Sequence, residues 1–279
     1  MAETNGNSQF GRKVFFLNPS FLIRTNIIEP LKQKEYEVYE IADYHRAGDY
    51  LSAHEDAIIY LNIGSQSSAT VWLNFIDELK KEHSATTIGV LADQLTANLS
   101  QQLGYCNAIQ GGVFELGQDF EKVLSQLTNM LDSLEAKGRR QYVRASCMHD
   151  SSANFMWFFR DKLFKTRLLD ISTASAAILV DSDKMQYLDT TASMPCTLQI
   201  GMNQVRVQVK PLVVKQQNER MHCIIYLLNR ASLDAEAIAI IRKYVFDTLK
   251  AQLQQQAEVY RQKQLYLRRM ELARKQNMK

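Results

Sequence analysis

The sequence predicts an α/β unit built on a parallel sheet, then an all-β unit of short strands closing into a small barrel, then one long C-terminal helix. Three observations carry this. Between residues 12 and 136, short runs of Val, Ile, Phe and Tyr alternate with longer stretches of helical spacing, the rhythm of a parallel sheet covered by helices. Between 146 and 232 the apolar runs follow one another directly, separated only by turn residues. From 233 to 279 there is neither proline nor glycine, and Ala, Leu, Gln, Glu, Lys and Arg dominate.

In the first unit the expected strands are Lys13–Leu17, Glu37–Ile41, Ala57–Asn62, Thr87–Leu91 and Ala108–Phe114. The expected helices are Leu22–Lys34, Tyr44–Ala53, Thr70–Glu82, Asp93–Leu103 and Asp119–Ala136. Gly111 and Gly112 read as a bend rather than a phosphate cradle, because a lone glycine pair is most often a turn. His45, His54 and His83 have no partner at metal or catalytic spacing and read as surface histidines. A length of 279 residues suits about two domains, each able to bury its own core.

Five strands and five helices in this order resemble the receiver domain of response regulators, a flavodoxin-like fold whose working residues sit at the carboxyl ends of the strands. A working receiver needs an acidic pair after its first strand, an Asp after its third, a Thr or Ser after its fourth and a Lys after its fifth. Here those places read Asn18-Pro19, Asn62, Ala92 and Glu115-Leu116. Without carboxylates to hold Mg²⁺, and with an amide at the acceptor position, the phosphoryl-transfer chemistry is lost. Residues 12–136 therefore read as a pseudo-receiver.

The last helix of that unit is expected to stop at Gly138, after Lys137. The segment 137–145 then reads as a linker, and it holds the sequence Gly138-Arg139-Arg140-Gln141-Tyr142-Val143-Arg144, with Arg140 and Arg144 as an RxxxR. Further on comes Asp170-Ile171-Ser172-Thr173-Ala174-Ser175, at the head of another apolar run. The strands expected around these residues are Asn154–Phe159, Thr166–Leu169, Ala176–Val180, Gln186–Leu188, Met194–Ile200, Gln204–Val214 and His222–Leu227.

An RxxxR joined to a D-x-S, at the start of an all-β segment, resembles the PilZ family of cyclic di-GMP receptors. The resemblance covers roughly residues 138 to 250 and implies a β-barrel of six to seven strands over 146–232, followed by a helix. It also implies a ligand, cyclic di-GMP, held by Arg139, Arg140, Arg144, Asp170, Ser172 and Ser175. Arginine suits that ligand because its planar fork donates in pairs to phosphate oxygens or to guanine O6 and N7, and the same plane stacks on a purine. The family motif ends in Gly where this chain has Ser175, so the pattern reads DxSxxS. Glycine serves where the backbone turns to positive φ or a ligand approaches closely, and a Ser there predicts weaker binding or none.

Other chemistry finds no support in the sequence. Cys106, Cys147, Cys196 and Cys223 have no CxxC spacing, so neither a metal site nor a disulfide framework is expected. No nucleophile–base set appears, and the chain reads as no enzyme with no cofactor. The N-terminal residues lack the apolar run of a leader, and no stretch is long and apolar enough to span a membrane, so a cytoplasmic location is expected.

The net charge of +3 is spread unevenly, with Arg261, Lys263, Arg268, Arg269, Arg274, Lys275 and Lys279 against the single acidic Glu271 at the end of the chain. Leu249, Leu253, Tyr260, Leu267 and Met270 lie near a heptad seam that would serve a homodimer, although Gln256 and Lys263 interrupt it. Basic residues interleaved with Tyr260, Tyr266 and Leu272 also suit contact with acidic lipid or RNA.

Two functions are open at this stage. One is a non-enzymatic effector that binds cyclic di-GMP and alters its domain arrangement or its contacts with an unidentified protein partner, an output the family ties to bacterial motility or surface behaviour. The alternative is a degenerate PilZ protein that binds no nucleotide and serves as a structural adaptor, for which Ser175 is the best support.

Overall fold

The computed structural model describes residues 11–64, 68–117 and 119–277. The residues before Gly11, the side chain of Leu272 and Lys279 of the basic tail lie outside them. The chain divides into two compact units, one formed by Met1–Gln141 with Leu253–Lys279 and the other by Tyr142–Gln252.

The first unit is a five-stranded sheet with strand order β2-β1-β3-β4-β5, all pairings parallel. This is the flavodoxin-like order expected of a receiver-like chain. The strands are β1 (Val14–Leu17), β2 (Val38–Ile41), β3 (Ile58–Ile63), β4 (Thr87–Ala92) and β5 (Ile109–Glu115). Helices on both faces explain why β1 and β4 are buried at every position, since a central parallel strand meets apolar partners on each side.

The helices are α1 (Phe21–Ile23), α2 (Glu29–Gln33), α3 (Ala47–Ala53), α4 (Ala69–Glu82), α5 (Ala97–Gly104) and α6 (Phe120–Ser133). A π-helical turn, Arg24–Ile28, joins α1 to α2. Helix α5 starts later than its composition predicts because Thr96 caps it, its hydroxyl accepting the Leu99 N–H at 3.2 Å. The stop expected at Gly138 comes earlier. Helix α6 ends at Ser133 with Leu134 as its C-cap, and Glu135 takes the left-handed conformation (φ 55°), with its own N–H donating to the Asp132 carbonyl.

The glycine pair forms part of β5 rather than a free bend. Gly112 has φ 86°, and the β4–β5 register shifts beside it. Gly89 makes room for the buried Tyr60 ring, since a Cβ there would stand 2.3 Å from it, and Gly111 lies close against the Gly89 backbone, 3.0 Å from where its own Cβ would be. The Tyr60 hydroxyl donates to the Gly111 carbonyl at 3.2 Å.

Two of the three histidines depart from the surface reading. His83 is buried, and His54 stands half-buried against Phe15 with ring centroids 6.4 Å apart. They pack against α3 and β1, where apolar neighbours from distant parts of the chain enclose them, a placement no local spacing announces.

The second unit is a closed antiparallel barrel. Its strands are β6 (Ala145–Ser146), β7 (Asn154–Phe159), β8 (Lys162–Ile171), β9 (Ser175–Asp181), β10 (Met194–Ile200), β11 (Asn203–Asn218) and β12 (Met221–Leu228). The order is β6-β8-β7-β10-β11-β12-β9, and an additional β8–β9 pairing closes a ring of six strands with β6 added on β8. Alternation sets the core: along β10 the burial runs in and out, with Met194, Cys196, Leu198 and Ile200 inside.

The strand expected at Gln186–Leu188 is instead the end of a 3-10 helix, Ser182–Tyr187. Tyr187 stacks on Phe164 at 4.7 Å and its carbonyl accepts the Trp157 indole N–H at 2.8 Å, so tertiary contacts claim residues that read locally as extended.

One continuous helix, α7 (Ala235–Asn277), ends the described chain. Ile241, Val245 and Phe246 join the barrel core, with Leu249 packed beside them. Leu253 and Ala257 are buried within the first unit, where Arg46 and Glu258 approach to 3.5 Å. The seam read from the sequence is thereby split, because its first two leucines are spent on the chain's own packing. Among the described residues no helix is long and apolar enough to cross a membrane.

Candidate functional site

Strand β6 is two residues long, but its pairing decides where the second motif arginine sits. Ala145 pairs with Ile171 and Ser146 with Asp170, so the residue just before β6 is carried alongside the end of β8. The Arg144 guanidinium reaches to 3.6 Å from the Asp170 carboxylate, and each side chain keeps about a third of its surface exposed (33% and 32%). A β-bulge between Leu168 and Asp170 interrupts the β8–β9 ladder at this point, the kind of irregularity that re-aims a side chain.

Ser172 and Ser175 lie at the tight turn from β8 to β9, and both are buried, at 0% and 4% exposure. The Ser172 Oγ accepts the N–H groups of Ala174 and Ser175 at 3.2 and 3.0 Å. It also lies 3.0 Å from the Ser175 Oγ, and the Ser172 N–H donates to the Ser175 carbonyl at 2.8 Å. These bonds build the hairpin turn, a local pattern in which a serine hydroxyl replaces backbone partners.

The expected surface role of Ser172 is thus taken by turn construction. Ser175 is not among the residues with positive φ, so no backbone strain follows from the missing glycine. What a serine adds at this position is a Cβ and a hydroxyl directed at Ser172.

Arg139 and Arg140 belong to the first unit and are exposed. Nearby in sequence but unannounced by it, Tyr142 accepts a hydrogen bond from Arg230 at 3.0 Å, and the guanidinium stands 5.3 Å from the ring centre. Tyr244 donates to Asp150 at 2.7 Å, which ties α7 to the segment after β6. Cys147, between these groups, has its thiol pushed up to about 11 by burial. Nothing in the spacing of these residues marks them, because each pair meets only after the barrel has closed.

In the first unit the receiver positions form no acidic cluster. Asn62 donates its amide to the Asn18 carbonyl at 3.0 Å, and Asn18 itself is left-handed (φ 47°). Glu115, where a receiver carries Lys, accepts the Leu95 N–H at 3.0 Å. Among the described residues no group of three His, Cys, Asp or Glu side chains is arranged to hold a metal ion.

No protein-family model matches the chain, and no curated protein does. Solved structures resemble each half. The PilZ domain with c-di-GMP of YcgR from Escherichia coli is 12% identical, covering 42% of this chain and 96% of that one, with a TM-score of 0.36. A response regulator from Thermotoga maritima is 13% identical, covering 44% of this chain and 99% of that one, with a TM-score of 0.37. The inhibitor of motility MotI/DgrA of Bacillus subtilis is 14% identical over 42% of this chain, with a TM-score of 0.33, and the match spans about half (52%) of that protein. At such TM-scores the site's own residues have to carry the functional reading.

Proposed function

We propose that the chain is a non-enzymatic cytoplasmic effector that binds cyclic di-GMP, with Arg144 and Asp170 forming the barrel's share of the grip. The observation that carries this reading is the half-exposed Arg144–Asp170 pair at 3.6 Å, a fork of donors held by a carboxylate at the mouth of the DxS turn. A solvated pair of this kind adds less than about 1 kcal/mol to stability, so its use is better sought in binding than in folding. Arg139 and Arg140, exposed in the preceding segment, supply the further guanidinium groups that two phosphates and two guanines call for. Ser172 and Ser175 act through the turn that fixes Asp170. Ligand capture by this segment changes the contacts the protein offers to a partner, with motility or surface behaviour as the output.

Titration calorimetry with cyclic di-GMP tests the reading. The wild type should bind, and Arg144→Ala should lose at least tenfold in affinity, the size expected for one charge-assisted hydrogen bond of about 1.5–3 kcal/mol. A second reading, an adaptor that binds no nucleotide, is favoured by the Ser175 hydroxyl filling the space beside Ser172. Absence of heat with the wild type and its appearance in Ser175→Gly would establish that reading and identify its cause. X-ray scattering with saturating ligand tests the rearrangement, for which an unchanged profile counts against it.

A further inference from the structure

Beyond Tyr260, α7 buries none of its described side chains. Of the described side chains from Arg261 onward Gln264 is partly buried and the others are exposed, Leu265, Leu267 and Met270 at 39%, 43% and 43%, and the segment to Asn277 extends about 25 Å at the helical rise. A helix of this length that buries no side chain gains little stability from packing, so its apolar residues call for another partner.

At 3.6 residues per turn, Val259, Tyr266, Met270 and Ala273 fall on one face, with Lys263 and Arg274 between Met270 and Leu267, and Val259 and Tyr266 are 64% and 62% exposed. Lys263, Arg269 and Arg274 flank this apolar stripe. Arg261 and Arg268 lie on the opposite side and line a polar groove of about 740 Å³ in which Asp43, Asp49 and Glu82 also stand. Their charge is therefore matched within the unit, whereas Lys263 lines a small hollow with Ala53, Gln255, Gln256, Val259 and Tyr260, none of them acidic.

We propose that the distal part of α7 docks in the plane of an anionic phospholipid surface, its apolar stripe at the headgroup level and Lys263, Arg269 and Arg274 on the lipid phosphates. Charge complementarity selects this occupant. A second copy docked on the same face would set Lys263, Arg269 and Arg274 against their own counterparts, with Glu271 as the one acidic residue of this segment on each side. A nucleic acid would use the cations but not the stripe of Val259, Tyr266 and Met270. Long basic side chains whose stems lie along an apolar face while their charges reach outward are the composition of in-plane helices.

Flotation of the full chain with phosphatidylcholine vesicles, with and without phosphatidylglycerol, is the test. Binding should require the anionic lipid and fall with added salt. The triple variant Lys263→Gln, Arg269→Gln, Arg274→Gln should bind more weakly by on the order of a hundredfold, from about one decade or less per cation at such surfaces. The double variant Tyr266→Ser, Met270→Ser, with charge unchanged, should also bind more weakly. All five positions are exposed, and an unaltered thermal melt verifies that the variants fold.

Equal binding to neutral vesicles, no binding to either, or wild-type binding by the triple variant overturns the proposal. So does self-association abolished by Tyr266→Ser, Met270→Ser, which assigns the stripe to a second copy, or capture of single-stranded RNA without capture of vesicles.

Discussion

The parallel unit and the barrel were built around comparable landmarks, a set of polar residues at strand ends, and they have treated them in opposite ways. In the parallel unit the strand ends where a receiver would hold Mg²⁺ and accept a phosphoryl group carry Asn18, Asn62, Ala92 and Glu115, and the side chains of Asn62 and Glu115 bond to nearby backbone. In the barrel Arg144 and Asp170 stand 3.6 Å apart, each partly exposed. Both folds are nonetheless complete, with their own buried cores. In each unit the residues that hold the fold are thus different from the polar residues at the strand ends.

The strongest way to break this comparison is to attack a core instead of a site. Trp157 is buried at 1%, stacks on Phe164 at 5.4 Å and donates to Tyr187. Trp157→Ala should cost about 3–5 kcal/mol in urea unfolding followed by circular dichroism, whereas Arg144→Ala should cost less than about 1. A barrel as sensitive to Arg144 as to Trp157 would mean that the pair is structural and would refute the separation.

Next in size is the acid response of the parallel unit. His54 holds its pKa down at about 4, below the ordinary 6.5, chiefly because burial disfavours the charged ring, with Lys13 adding to the effect. The unfolded chain therefore takes up the proton first. Stability from this residue is present above pH 6.5 and is lost as pH falls from 6.5 towards 4, by about 1–2 kcal/mol once partial exposure is allowed for. The chain has two tryptophans, Trp72 in the parallel unit and Trp157 in the barrel. Trp157→Phe leaves a reporter of the first unit alone, and in that background His54→Gln should flatten the pH dependence of unfolding. An unchanged slope would remove His54 from the account.

A smaller effect is expected where α6 ends. Glu135 is left-handed, a conformation that costs a non-glycine residue roughly 1 kcal/mol, so Glu135→Gly should raise the thermal midpoint slightly. No change at all is expected from Asn62→Asp incubated with acetyl phosphate and Mg²⁺, because Asn18-Pro19 still offers no carboxylate for the metal. Phosphorylation of that variant, detected by mass spectrometry, would show that the emptied site is one residue from working.

Much of this was legible in advance. The five parallel strands announce themselves because strands buried on both faces must be apolar throughout, as in Val14–Leu17 and Thr87–Ala92. In the barrel Met194–Ile200 is legible for the complementary reason, alternation, and Asn154–Phe159 as a β-prone aromatic run, and both coincide with the expected bounds. Local rules misplaced what local rules do not govern: the Ser182–Tyr187 turn is fixed by a contact to Trp157, and the α6 stop by a left-handed glutamate in place of a glycine.

The two architectures, the lack of carboxylates at the ends of the first and third parallel strands and the charge of the tail follow from residue type and period along the chain. That Arg144 meets Asp170, that Ser172 and Ser175 are turned inward, that His83 is buried and His54 half-buried, and that Leu249 and Leu253 are spent before the tail begins does not. Each of these depends on which distant strand or helix becomes a neighbour, and burial, the quantity that sets their chemistry, exists only once the chain has closed around them.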